Sequence, residues 1–490
     1  MALPYTLLPV LNSNNLTFYG TFGVGDQSYT LNLDTGSTLL WIPANDAECT
    51  AVPAGDIGTV ECASLSGKTT IVNNAGGATT DVILNANYGV GRAYGRLVED
   101  VRVAFGDISV DMALGVAEQV VQAHPVFFDA PMDGLIGLGM PYNVWTCTAG
   151  ICADFETADL SCQICSDSFT EPIYAGHPIG GTGLATQRQT SLIQQMVETY
   201  GGAQMNIYIP MVGDSTLSFG DADPSRYKGE MEWVDVYWPF TESSPDGYPG
   251  YWQFALGSGP WGDSGIAALD SGASFVLFDL DVFNAWLLPA LAKVPGIRQI
   301  QSQGFPAIYH FPVESIPELP TLSIPIGNRI FNLTGAQYVL TEPSNIQALL
   351  LGQNATIPDG EAVARIAGFA GLASTGLTIL LGSPFLQWHY SSYLATNDTW
   401  ITGNKIGVAK LATNDEATAA PTPQPMPTTT GVLNTPTTTG VLNTPSTTGV
   451  QSTPPTTSAT SGAMSRPRNA SFVTVLGLAL AWALSNIILA

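Results

Sequence analysis

Positive charge is scarce in this chain. Only 15 Lys and Arg stand against 40 Asp and Glu, giving a formal net charge of −25 and a pI near 4.2. Such a surface repels polyanions, so nucleic acid is excluded as a partner. A carboxylate-rich chain loses self-repulsion as its carboxylates protonate, which suits work in acid; the same composition also serves solubility, and composition leaves both readings open. Histidine is sparse too: His124, His177, His310 and His389 are scattered without ligand spacing. No metal is indicated, no motif for an organic cofactor appears, and no cofactor is expected. A secretory leader is also missing, because "MALPYTLLPVLNSNN" has neither a basic n-region nor a sustained apolar stretch. Residues 1–12 are therefore read as an N-terminal segment whose signal and pro-segment are absent from this sequence.

Room for long helices is lacking as well, since 51 Gly and 34 Pro punctuate the chain. With 45% hydrophobic residues it can still bury sizeable cores. Short runs such as "SYTLNL", "RLVEDVRVAF", "MNIYIP" and "FVLF" are rich in β-branched, aromatic and alternating residues and are separated by turn signals, so the fold class is mostly β. Two helices are expected. One is "TSLIQQMVETYG" (190–201), with Thr190 as N-cap and Gly201 as stop; the other is "DLDVFNAWLLPALAKV" (279–294), broken by Pro289.

From about Ala419 the composition turns to Pro and Thr, and a unit repeats: "TTTGVLNTP", "TTTGVLNTP", "STTGVQSTP". No core can form from it, so 413–460 reads as an extended, O-glycosylated stalk. Ser461, Gly462 and Ala463, a polar spacer "MSRPRNAS" and the apolar "FVTVLGLALAWALSNIILA" then match a glycosylphosphatidylinositol (GPI) signal over 461–490. Ser461 is the expected attachment residue, and the tail would be removed. A plain transmembrane anchor is the alternative, but no cation follows the tail to hold a cytoplasmic end. The expected location is extracellular, with the lipid anchor at plasma membrane or cell wall. Asn15, Asn332, Asn354 and Asn397 each begin an N-glycosylation triplet, which agrees with export without establishing it. In that compartment the six cysteines read as disulfides: Cys49 with Cys62 nearby, and Cys147, Cys152, Cys162 and Cys165 crowded together. A four-cysteine zinc site is the competing reading of the cluster.

The chemistry sits in "LNLDTGSTLLW" (31–41). Alone, Asp-Thr-Gly is also an ordinary turn between strands. A second copy, "AALDSGASFVLF" (267–278), repeats the order: apolar residue, Asp, hydroxyl residue, Gly, small residue. Two further segments match each other, "DGLIGLG" (133–139) and "TILLGSPFLQWHY" (378–390), each with two apolar residues before Gly137 or Gly382. Two β-rich halves, each opening on Asp-hydroxyl-Gly and closing on apolar-apolar-Gly, describe a duplicated domain.

From about Leu16 to Leu411 the chain resembles the pepsin-like aspartic endopeptidases, and with its stalk and anchor signal it looks like their GPI-anchored, cell-surface type (fungal yapsin-like). The resemblance implies an all-β, bilobal fold with a cleft between lobes 13–205 and 206–412, the first carrying a cysteine-containing insertion at 141–189. It implies Asp34 and Asp270 as the catalytic pair. Thr35, Gly36 and Ser37, with Ser271 and Gly272, would support the two loops. "NYGVGRAYG" (87–95) looks like the flap, with Tyr88, Gly89 and Gly91; Trp41 and Ser274 are placed with the flap and substrate residues. Polypeptides are the implied substrates, hydrolysed at acidic pH by a water between the carboxylates, and the protein is expected to be a monomer. Departures are visible: Ala273 stands where the family usually has a hydroxyl, and Arg92 where the flap usually has a small one. Two readings compete. One is a catalytically silent, protease-like module on a stalk that binds peptides or wall components. The other is a serine hydrolase suggested by "GDSG" at 262–265, for which no partner-histidine motif is present.

Overall fold

The computed structural model describes residues 5–51, 60–61, 78–88, 91–122, 132–140, 143–145, 186–188, 191–237, 251–300, 307–350, 356–396 and 403–412. The stalk, the apolar tail and most of the insertion at 141–189 lie outside them. Within them the fold is mostly β with short helices, and the duplication seen in the sequence is a duplication of strand pairing. In the first half Gln27–Asp34 runs parallel to Gly134–Gly137, with Asp34 opposite Gly137. The following strand, Leu40–Ala51, pairs antiparallel to Gly134–Gly137 and parallel to Ile108–Gln122. The second half repeats this: Gly265–Leu269 is parallel to Ile379–Leu381, while Val276–Asp279 is antiparallel to Ile379–Leu381 and parallel to Ile366–Phe369. Each apolar-apolar-Gly segment is thus threaded between the strand that ends at its Asp loop and the strand that leaves it.

A shared antiparallel sheet joins the halves. Its order is Tyr227–Asp235, Lys405–Leu411, His389–Ala395, Ala203–Tyr208, Ser215–Phe219, Thr6–Ser13. One face of this sheet carries Leu8, Val10, Met205, Ile207, Leu217, Phe219 and Tyr393, all buried, and the core runs on without a break into both halves. Period-2 alternation of apolar residues is what aims these side chains to one side. Aromatic edges fill the corners, as where Phe105 packs on Phe22 and Phe219.

Both expected helices exist, with corrected ends. The first spans Leu192–Tyr200, and its cap is Ser191, whose Oγ accepts from the Gln194 N–H at 3.0 Å; Gly201 stops it at φ 82°. Thr190 was one residue early in a run of two hydroxyl residues, either of which suits an N-cap. In the second, Pro289 does not break the helix. Leu280–Val282 passes into a π turn, Phe283–Leu287, and Pro289 then sits in the first turn of Leu288–Leu291. Widening the turn just ahead of the proline moves away the carbonyl its ring would strike.

His389 opens its strand between the rings of Phe331 and Phe385, with Lys410 opposite on the neighbouring strand. Its Nδ1–H donates to the Phe385 carbonyl at 2.9 Å and its ring stacks on Phe385 with centroids 4.2 Å apart. Burial pushes its pKa down from 6.5 to about 4. The unfolded chain therefore takes up a proton below about pH 6.5 while the folded one resists until about pH 4, so stability is lost as pH falls through that window, by about 3 kcal/mol. Replacement by phenylalanine, His389→Phe, should make the unfolding free energy less sensitive to pH between these limits by about that amount. Denaturant melts at the two pH values check this; equal pH sensitivity in parent and variant refutes it.

Candidate active site

Asp34 is the last residue of its strand and Asp270 follows directly on Leu269, so the two loops meet where the halves join. Their backbones hold each other. The Thr35 N–H donates to Ser271 Oγ (3.0 Å) and the Ser271 N–H donates to Thr35 Oγ1 (2.9 Å). Each hydroxyl then donates across the junction, Thr35 Oγ1 to the Leu269 carbonyl (3.0 Å) and Ser271 Oγ to the Leu33 carbonyl (2.7 Å). All four bonds are buried, so a slip of either loop would leave polar groups unpaired away from water. The closing segments brace the loops from behind: Leu138 N–H donates to the Asp34 carbonyl and Gly139 N–H to the Ser37 carbonyl, each at 2.7 Å, while Ser383 N–H donates to the Ala273 carbonyl at 2.7 Å.

The carboxyls are buried and face each other. Gly36 N–H donates to Asp34 Oδ1 and Gly272 N–H to Asp270 Oδ1, each at 2.8 Å. Asp34 alone receives a side-chain hydroxyl, from Ser37 Oγ at 2.5 Å on Oδ2. Burial raises both groups above the ordinary carboxylate range, and hydrogen bonds from Ser37, Asp270 and Gly36 restrain Asp34. Asp270 goes further up, because burial is joined by the charge of Asp34. Two coupled carboxyls in this setting hold one proton between them, which sets an acid beside a base. The Ser37 hydroxyl favours the ionised form of Asp34, and Asp270 has no such donor because Ala273 stands at the matching position.

The family model described as eukaryotic aspartyl protease matches residues 17–158 and 194–410. The chain belongs to that family. Pepsin A of Bos taurus is 23% identical over 414 residues, covering 82% of this chain and 87% of its own. Cathepsin D of Chionodraco hamatus is 24% identical over 422 residues, 83% of each chain. In fold, the crystal structure of aspartic proteinase from Irpex lacteus matches with a TM-score of 0.53 at 17% identity, covering 84% of this chain and 98% of that one. The protein is thus an aspartic endopeptidase acting on polypeptides.

Other residues of the protease fall into place around the loops. The segment expected to form the flap is a hairpin, Ala78–Tyr88 against Gly91–Phe105, with Tyr88 opposite Gly91. The Tyr88 side chain and Gly89 lie outside the described residues. Trp41 is fully buried against Leu39, Ala93, Leu97 and Leu135. It packs under the Gly91–Phe105 strand with no exposed surface, as its large apolar ring favours. The half-buried Ser274 donates its hydroxyl to the Leu16 carbonyl at 3.0 Å, tying the loop to the N-terminal turn.

Asn15 is corrected as a glycan acceptor. It is buried, and its Oδ1 accepts from Asn12 Nδ2 and Gln387 Nε2, so a local triplet has been used for a tertiary contact. Asn332 is exposed on its strand; Asn354, Asn397 and Ser461 lie outside the described residues. Cys49 lies on a strand with its backbone opposite Val60, while its side chain and Cys62, Cys147, Cys152, Cys162 and Cys165 lie outside them. Among the described residues no group of His, Cys, Asp and Glu gathers to hold a metal. Ser264 of "GDSG" is exposed just before the strand Gly265–Leu269, and His310 and His389 are engaged with Glu361 and Phe385. Sequence reasoning missed Trp252, whose Nε1–H donates to the Leu138 carbonyl at 2.8 Å and so steadies the Asp34 brace from the other half. A single tryptophan in "YWQFAL" carries no signal of that partner.

Proposed function

We propose that Asp34 and Asp270 are the catalytic pair of an acid-acting endopeptidase displayed at the cell surface on a stalk. The reciprocal Thr35–Ser271 bonds carry the reading, because they lock both carboxyls face to face. Asp34, the more readily ionised, takes a proton from a water whose oxygen bonds to the scissile carbonyl carbon; Asp270 gives its proton to the carbonyl oxygen. The proton taken by Asp34 passes to the leaving nitrogen as the C–N bond of the tetrahedral diol breaks, and one diol hydroxyl returns its proton to Asp270 as the product carboxyl forms. Both steps need the pair singly protonated, which raised carboxyl pKa values provide in acid. Tyr88 closes over the substrate from the flap.

The rest of the reading follows the sequence: lobes 13–205 and 206–412, stalk 413–460, GPI signal 461–490 with attachment at Ser461, disulfides among the six cysteines, glycans at Asn332, Asn354 and Asn397, and a monomer. Hydrolysis of a casein-type substrate at acid pH, blocked by a statine-type inhibitor, tests the activity; peptide binding without cleavage would instead favour the silent module. Release from cells by a phosphatidylinositol-specific phospholipase tests the anchor, and retention at the surface would refute it.

Ala273 sets the upper end of the working range. A threonine there, Ala273→Thr, offers Asp270 a hydroxyl donor like the one Ser37 gives Asp34, which favours the ionised form and lowers the pKa. The basic limb of the pH–rate profile should move toward acid by about one unit. A limb that stays in place refutes the assignment of the proton to Asp270.

A further inference from the structure

Among the described residues the deepest charge outside the carboxyl pair is Arg365, which is fully buried between the strands Glu361–Ala364 and Ile366–Phe369. Among the described residues no carboxylate pairs with it. Its Nη1 donates to the Asn15 carbonyl (2.8 Å) and to Ser383 Oγ (3.4 Å), its Nη2 donates to Gln387 Oε1 (2.8 Å), and its Nε has no partner. Burial lowers its pKa only to about 9, so it stays charged wherever an acid protease works. Burying a cation on neutral acceptors alone carries a heavy desolvation penalty, and an arginine without a structural counter-charge needs another reason to be there.

That reason lies in what its partners hold. Three segments meet at Arg365, and each has its own bond to the Asp270 loop. Ser383 N–H donates to the Ala273 carbonyl (2.7 Å), Ser274 Oγ to the Leu16 carbonyl beside Asn15 (3.0 Å), and Val276 N–H to the carbonyl of Arg365 itself (3.0 Å). Gln387 Nε2 closes the circle by donating to the Asn15 carbonyl at 3.3 Å. Asn14 and Asn15 hold this turn with φ of 55° and 60°, an uncommon left-handed pair that aims the carbonyl at the guanidinium. The other half lacks the device. Val276, six residues after Asp270, pairs with Ile366, as Leu40, six after Asp34, pairs with Leu114; the position before Leu114 is Ala113, where the second half has Arg365.

We propose that Arg365 is a positioning residue for the Asp270 carboxyl, its guanidinium fork clamping the N-terminal turn and the Ser383–Leu386 helix onto the back of the Asp270 loop. This rests on the reading of Asp34 and Asp270 as the catalytic pair. The clamp keeps the loop dry and close to its partner. Loosening it admits water to Asp270 and separates it from Asp34, the two causes that hold its proton on. Among the described residues the titratable groups that interact with Asp270 are Asp34 across the pair and Tyr393, so the change in pH behaviour has a defined source.

The test uses the full chain with Arg365→Met, Arg365→Lys and Ser274→Ala, and Asp270→Asn as control. Active molecules are counted by titration with a statine-type inhibitor, so that loss of fold is separated from loss of rate. Per active molecule, kcat should fall on the order of 10- to 100-fold in Arg365→Met with KM within about twofold, and the basic limb should move toward acid. Lysine should not rescue it, because one ammonium cannot span acceptors on separate segments. Ser274→Ala should move the limb the same way by less, and it decides the matter should Arg365→Met fail to fold. Parental kcat and an unmoved limb in Arg365→Lys and Ser274→Ala, with Asp270→Asn inactive, overturn the clamp. An active Asp270→Asn would instead overturn the reading of the pair.

Discussion

Asp270→Asn is expected to lose proteolysis by roughly 10³-fold or more while remaining folded, and Asp34→Asn likewise. The size follows from shared use of one proton: general acid–base catalysis contributes about 10²- to 10⁴-fold, and an amide at either position can neither hold nor pass that proton. The double variant should be little worse than either single one, because the two groups act as a unit. Stability should move the other way. Both carboxyls have folded pKa values above their ordinary ones, so the native state binds protons more readily than the unfolded chain. The contribution of the pair is then full below the ordinary carboxylate pKa and is lost as pH rises through the raised ones. At neutral pH the pair is a liability that asparagine removes, while in acid asparagine gains nothing. Thermal melts should therefore place Asp270→Asn above the parent at pH 7 and close to it at about pH 4. A variant that melts lower at both values would show that the carboxyl is a structural partner and that its buried charge is not the dominant effect.

These residues were legible from sequence because their chemistry is local. Asp, a hydroxyl and Gly must follow one another for a backbone N–H and a neighbouring loop to meet the carboxyl, and the second copy at 270 repeats the requirement. Strand content was legible for a similar reason, since alternation over a few residues decides which side chains a sheet buries. What escaped depends on partners far away along the chain. Asn15 begins a perfect glycosylation triplet, yet its acceptors are used by Arg365 and Gln387, separated from it by 350 and 372 residues. Arg365 itself stands in "AVARIAGF", where a lone arginine among apolar residues has no pattern to announce burial. Trp252 reaches Leu138 across 114 residues. Pro289 misled in the opposite direction, since a local rule for ending helices was met by a local widening of the turn.

Gly36→Ala should also damage activity severely, though by about tenfold less than loss of a carboxyl and by a different route. No left-handed backbone is recorded at Gly36 or Gly272, so an alanine meets no conformational obstacle there and the whole effect is space. A Cβ on Gly36 would stand 2.5 Å from Asp270 Cγ and 2.6 Å from each of its oxygens. With all three carboxyl atoms in the way, rotation about the side chain offers no escape, and Gly272 N–H holds Oδ1 from behind. The loops must separate, but the Thr35–Ser271 bonds resist, so the pair is pushed out of register by something on the order of an ångström, a displacement that costs roughly 10²-fold in rate. Crowding of a close-packed site costs about 1–3 kcal/mol of stability as well. Gly272→Ala should be the milder of the two, because its Cβ would meet Asp34 at Oδ1 (2.5 Å) and Cγ (2.8 Å), with Asp270 Oδ1 farther off at 3.2 Å, so fewer carboxyl atoms stand within 3 Å. Steady-state kinetics with inhibitor titration rank the variants. A Gly36→Ala enzyme within about threefold of the parental kcat/KM would mean the carboxyls do not need this separation, and the shared proton would lose its geometric basis.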